Sequence, residues 1–159
     1  GNYWRMEAGM NQTVRLGLSE RLSYNLSGGL FFNQQNMYFA DFSYFAKRYF
    51  PEPWGDRFGG IFHKLGGDWC NASDKYIQGH LMYESPFILL RFLKPNPKAH
   101  KYLVSERFYL SQLWTPVLPN YSELGYGIGS DLFHIALFLG FEKFKYQSVG
   151  LKFALELFR

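Results

Sequence analysis

Apolar and polar residues alternate one for one along most of this chain, and that period excludes more folds than any other feature. Successive side chains of a strand leave opposite faces, whereas a helical stripe recurs every three or four residues. Between positions 4 and 16 one face reads Trp4, Met6, Ala8, Met10, Gln12, Val14, Leu16. The other reads Arg5, Glu7, Gly9, Asn11, Thr13, Arg15. After a turn at 17–20, Leu22, Tyr24, Leu26, Gly28 and Leu30 alternate with Arg21, Ser23, Asn25, Ser27 and Gly29. Two long alternating runs around a short connection are a hairpin signal. Further strands are expected at 58–70, 75–90, 100–115, 121–129, 132–145 and 148–158, with a short one near 37–44. The fold class is therefore all-β, and we expect an antiparallel transmembrane β-barrel of about eight strands, or the C-terminal half of a larger barrel.

Composition supports interleaving rather than blocks. Hydrophobic residues make up 47% of the 159 residues, yet the best continuous apolar stretch, 132–141, is short and contains His134. A helical span needs roughly 18 or more apolar residues, so no transmembrane helix is expected. Tilted strands cross with about 9–11 residues, and many of these runs are long enough. The net charge of +4 is mild, and its one local cluster lies around Lys94-Pro95-Asn96-Pro97-Lys98. That is the pattern of a solvated loop, and nucleic acid is not an expected partner. Cys70 stands alone and forms no disulfide framework. The chain opens on Gly1-Asn2-Tyr3-Trp4, directly in strand pattern, with neither initiator Met nor signal peptide. We expect a processed protein or the C-terminal piece of a longer one.

Alternation alone does not separate a membrane barrel from a soluble one. Charged and small residues sharing a strand face favour the membrane form, because Arg and Glu at mid-strand suit a wet or ion-paired lumen better than a dry core. Arg5, Glu7, Arg15, Arg107, Glu123, Gly125, Gly127 and Gly129 are accordingly expected to face the lumen. The spacing Gly125-x-Gly127-x-Gly129 is no nucleotide loop, and more simply clears room on that face or permits strand curvature. Aliphatics such as Ile135, Leu137 and Leu139 occupy opposite faces, and aromatics such as Trp4, Trp69, Trp114 and Tyr146 lie near strand ends. An apolar band between aromatic girdles is the outer-membrane pattern. The last strand carries Val149, Leu151, Phe153, Leu155 and Leu157 on one face. Ser148, Gly150, Phe153, Leu155 and the near-terminal Phe158 fit the C-terminal signal read by the barrel-assembly machinery. The aromatic stretch 39–56, with Tyr44, Tyr49, Phe50 and Trp54, is a candidate contact loop, though its rings fit a girdle or the lumen equally well.

Three segments carry a family resemblance: Asp41-Phe42-Ser43-Tyr44-Phe45; Lys75-Tyr76-Ile77-Gln78-Gly79-His80-Leu81 with the following Pro86-Phe87-Ile88-Leu89-Leu90-Arg91-Phe92-Leu93; and Tyr121-Ser122-Glu123-Leu124-Gly125-Tyr126-Gly127-Ile128-Gly129. They resemble the C-terminal barrel of a family of uncharacterised outer-membrane proteins. In that family an N-terminal carboxypeptidase-regulatory-like domain precedes a barrel akin to the bacterial surface-antigen superfamily. The family usually has a second His and an Asn-Gly where this chain has Tyr83-Glu84-Ser85. The resemblance implies the C-terminal half of a larger barrel and brings no catalytic residues.

Catalytic patterns are few. His63, His80, His100 and His134 match no metal spacing of the His-Glu-x-x-His kind, so no metal or other cofactor is expected. None has Ser two positions on, the same-face pair of a barrel lipid hydrolase. Four sites match the glycosylation triplet, but two fall mid-strand and the short motif is common by chance, so none carries weight. The expected function is a non-enzymatic integral outer-membrane barrel of Gram-negative bacteria, acting as a channel, a transport or assembly component, or a membrane anchor. Its partners would be outer-membrane lipid, the barrel-assembly machinery and other envelope proteins. The alternatives are a soluble all-β ligand-binding barrel and an outer-membrane lipid-modifying enzyme.

Overall fold

The computed structural model describes residues 3–33, 43–45, 58–65, 71–72, 74–86, 88–89, 104–130 and 133–155. The strands are β1 (Trp4–Arg15), β2 (Arg21–Phe32), β3 (Ser43–Tyr44), β4 (Asn71–Ala72), β5 (Lys75–Ser85), β6 (Ser105–Trp114), β7 (Tyr121–Gly129), β8 (Phe133–Glu142) and β9 (Lys145–Leu155). Seven form one sheet in the order β1-β2-β5-β6-β7-β8-β9, and β3 pairs with β4 apart from it. Every pairing is antiparallel.

Local chemistry sets most of the turns. Leu16 donates its N–H to the Glu20 carbonyl at 3.0 Å and closes the first hairpin. The Thr115 hydroxyl accepts the Leu118 N–H at 2.9 Å, and Asn120 takes a φ of 58° to re-enter the ladder. Lys143 and Phe144 both have positive φ, 49° and 63°, which matches a two-residue hairpin to the twist of its strands. The β8–β9 register shifts at Gly140/Phe141.

Three expectations need correction. Residues 58–65 were expected within a strand at 58–70 and form none. Gly60 sits at φ 77°, a left-handed conformation that a strand does not contain, and β5 already has β2 and β6 as partners. The short strand expected at 37–44 is seen only at Ser43–Tyr44 among the described residues. Third, the described strands do not close on themselves, because β1 pairs only with β2 and β9 only with β8.

The segment 58–65 instead folds over one face of the sheet. Phe62 and Leu65 bury with Phe31, Phe45, Tyr76, Leu113 and Tyr121. Phe58 buries with Met82, Tyr109, Ala136 and Phe138. The core is thus a layer between this segment and the middle strands. The other face is largely apolar and, away from Glu106, exposed or half-exposed among the described residues. One cross-strand row reads Val14, Leu22, Tyr83, Phe108, Tyr126, Leu137, Leu151 without a break. Met6, Met10, Leu26, Ile77, Leu110, Leu124, Ile135 and Phe153 are exposed on the same face.

Candidate functional site

Directly opposed residues of an antiparallel pair point to the same side, so the register assigns every strand residue to a face. All eight residues expected to face a lumen share the face that 58–65 covers. Arg5 lies opposite Phe31, Glu7 opposite Gly29, Arg15 opposite Arg21, Arg107 opposite Glu84 and Gly127, and Glu123 opposite Ser111. Gly125 and Gly129 follow from the alternation of β7.

These residues do different things. Glu123 was read as part of a wet or ion-paired surface, yet it is 2% exposed and has no cation against it among the described residues. Its carboxylate accepts the backbone N–H groups of His63 at 2.8 Å and Lys64 at 2.7 Å, and the Tyr121 hydroxyl at 2.8 Å. A buried carboxylate is tolerable only when its lone pairs are satisfied, and here two successive amides of the covering segment satisfy them. Glu123 is therefore the anchor of 58–65. Around it, the Phe62 ring packs 4.7 Å from His80 and 5.9 Å from Tyr121, and His63 stacks on Phe138 at 4.0 Å.

The β7 glycines do clear room, and rings fill it. A Cβ on Gly125 would lie 2.4 Å from Phe138 Cε1, and one on Gly129 would lie 2.7 Å from the Phe133 carbonyl oxygen and 2.8 Å from His134 Cγ. At Gly127 it would meet Ala136 Cβ at 3.1 Å and Tyr109 Cε2 at 3.3 Å. Gly150, expected only in an assembly signal, has a second duty. A Cβ there would come within 2.8 Å of Lys64 Nζ, so the glycine makes space for the side chain of the covering segment. Ser148 shares that face, whereas Phe153 and Leu155 are exposed on the apolar one. Phe158, Tyr49, Phe50 and Trp54 lie outside the described residues, and Tyr44 is placed only as a residue of β3.

Charge concentrates toward one end of the covered face. Glu84 takes Arg21 on Oε2, with Nε at 2.9 Å, and Arg107 on Oε1, with Nη2 at 3.0 Å. Arg107 also donates to His134 across the glycines of β7. Toward the other end, Arg5 pairs with Glu7 at 2.6 Å, and Glu7 accepts the Tyr76 hydroxyl at 2.6 Å.

Two arrangements escaped the sequence reading. His80 Nδ1 lies 2.8 Å from Ser111 Oγ, on neighbouring strands rather than two apart on one strand. Cross-strand register brings them together, and only the pairing of β5 with β6 could have disclosed it. Both are buried beneath the Phe62 side of the covering segment. Glu106 is fully buried on the opposite, apolar face, where it accepts the Leu89 N–H at 2.9 Å, the Ile88 N–H and the Tyr126 hydroxyl. An acid in the apolar register of Phe108 and Leu110 was the available signal for it. Among the described residues no group of three His, Cys, Asp or Glu could hold a metal ion, and no helix is long and apolar enough to cross a membrane.

No curated protein and no solved structure matches the chain. A family match covers residues 1–128, from ahead of β1 to the last residue but one of β7. The covered face described above, with Glu84, Arg107, Glu123 and the glycines of β7, lies largely within that match. The chain belongs to the family described as "Family of unknown function (DUF5686) C-terminal domain".

Proposed function

We propose that this chain is part of an integral outer-membrane β-barrel, without enzymatic activity of its own, serving as a channel, a transport or assembly component, or a membrane anchor. The carrying observation is the inversion of the sheet. Most charged side chains of the sheet lie on the covered face, with Glu106 and Lys75 the exceptions among the described strands, and the row from Val14 to Leu151 is apolar and exposed or half-exposed. Monomeric soluble proteins rarely expose contiguous apolar patches beyond a few hundred Å² or so. A soluble ligand carrier would turn this face inward. Acyl chains are the solvent it suits, and outer-membrane lipid is then its principal partner.

In lipid the outer edges of β1 and β9 must find hydrogen-bond partners, since a bilayer supplies none. Further strands of a larger barrel supply them in this reading. The kinship with surface-antigen barrels and an N-terminal carboxypeptidase-regulatory-like domain belong to the same proposal, as does recognition of Ser148, Gly150, Phe153, Leu155 and Phe158 by the assembly machinery. The segment 58–65, tied to Glu123, then sits inside as a partial plug.

Depth-dependent quenching tests it. Single cysteines at Leu137 and at Ser111, in a Cys70→Ser background, would carry a fluorophore in vesicles with brominated acyl chains. Quenching at 137 and not at 111 is expected. A monomer soluble in plain buffer, unquenched at 137, would reject the proposal. The lipid-modifying alternative rests on the His80–Ser111 contact, and Ser111 labelling by a fluorophosphonate ester, lost in His80→Ala, would favour it.

A further inference from the structure

The register lines up Arg15, Arg21, Glu84, Arg107, Gly127, Ala136 and Lys152 as one row across the covered face. Among the described residues this row thus sets four cations beside one carboxylate, Glu84, which bonds Arg21 and Arg107. Elsewhere on this face Arg5 bonds Glu7, Glu142 stands opposite Lys145, and Glu123 is satisfied by two amides and a hydroxyl. Like charges directly opposed across strands destabilise a sheet, and Arg15 directly opposes Arg21. Among the described residues neither Arg15 nor Lys152 has a hydrogen-bond or ion-pair partner. Arg21 commits Nε and Nη2 to Glu84, which leaves its Nη1 group unused there. Arg15 is exposed and the Arg21 side chain is 36% exposed, so a solute can reach both.

We propose that the Arg15–Arg21 end of this row is an oxoanion site that takes a phosphate group. Two planar guanidinium forks on adjacent strands suit bidentate contact with tetrahedral oxygens. The anion removes the repulsion that the row otherwise carries, and Glu84 keeps Arg21 and Arg107 oriented while the site is empty. The phosphate comes either from a free solute or from a lipid headgroup. This site does not depend on what covers the apolar face, so it can fail or stand independently of the membrane reading.

The 159-residue chain in a non-ionic detergent free of phosphate would be titrated calorimetrically with inorganic phosphate, and separately with short-chain phosphatidic acid. Saturable binding is expected, weakened about tenfold by Arg15→Gln and strengthened by Glu84→Gln, which removes the competing carboxylate. Arg5→Gln, toward the other end of the face, should leave it unchanged. Arg15→Gln breaks no contact among the described residues, and an unchanged β-sheet circular dichroism spectrum would certify its fold. Inorganic phosphate binding supports a free oxoanion, and binding of the lipid alone supports a headgroup. Absence of saturable binding to both, or equal affinity in Arg15→Gln, overturns the proposal.

Discussion

The middle of the sheet and its edges follow the same alternation and end in different states. Along β6 and β7 every second side chain is buried, among them Arg107, Tyr109, Ser111, Leu113, Tyr121 and Glu123. In β1 every residue is exposed, and β9 is little better covered. The difference is the eight-residue segment 58–65, whose Phe58, Phe62 and Leu65 lie over the middle strands. Alternation therefore assigns faces, but it does not decide whether a face is covered. At the middle the covered face becomes a core. At the edges it stays open, and among the described residues no further strand pairs beyond β1 or β9.

Phe62→Ala should widen the contrast most. Removing a fully buried ring costs about 3–5 kcal/mol, and here the cost falls on docking of 58–65. Hydrogen exchange at the His63 and Lys64 amides should rise steeply while β1 stays unchanged. An equal rise in β1 would mean that middle and edge unfold as one unit. Leu137→Arg and Leu151→Arg come next, one in the middle and one at an edge. Arg at the bilayer midplane costs roughly 2–4 kcal/mol, so both variants should lose comparable stability in denaturant titrations from bilayers. In water both would cost less than about 0.5 kcal/mol, as surface substitutions do.

Gly125→Val should cost about 1–3 kcal/mol, because its Cβ meets Phe138 at 2.4 Å. At Gly9 on β1 the closest atom to an added Cβ is Ser27 Cβ at 3.2 Å, and Gly9→Val should cost less in the same titration. Equal penalties would show the edge to be as tightly packed as the middle. The smallest effect belongs to Glu7→Gln. It removes the charge from an exposed ion pair with Arg5, worth less than about 1 kcal/mol, and keeps a carbonyl oxygen to accept the Tyr76 hydroxyl. A larger loss would mean that further strands bury that edge.

Much of this was legible before any fold was drawn. The two-residue period placed β1, β2 and β7 within two residues of their observed ends, because each side chain declares its face independently of its partners. The same logic put Arg5, Glu7, Arg15, Arg107, Glu123 and the β7 glycines on one side. It failed at 58–65, where Phe58, Phe62 and Leu65 supply enough apolar character for a strand but Gly60 turns the backbone away.

Face and period are local properties, written in the side chains of each strand, and here they required no partner to be read. Partnership is not local. The meeting of His80 with Ser111, the two carboxylate oxygens of Glu84 divided between Arg21 and Arg107, and the capture of the His63 and Lys64 amides by Glu123 all join residues far apart in the chain. Register sets the first two, and the docking of 58–65 sets the third. A shift of one residue in any pairing would have turned these groups to the opposite face and left the same alternation in the chain.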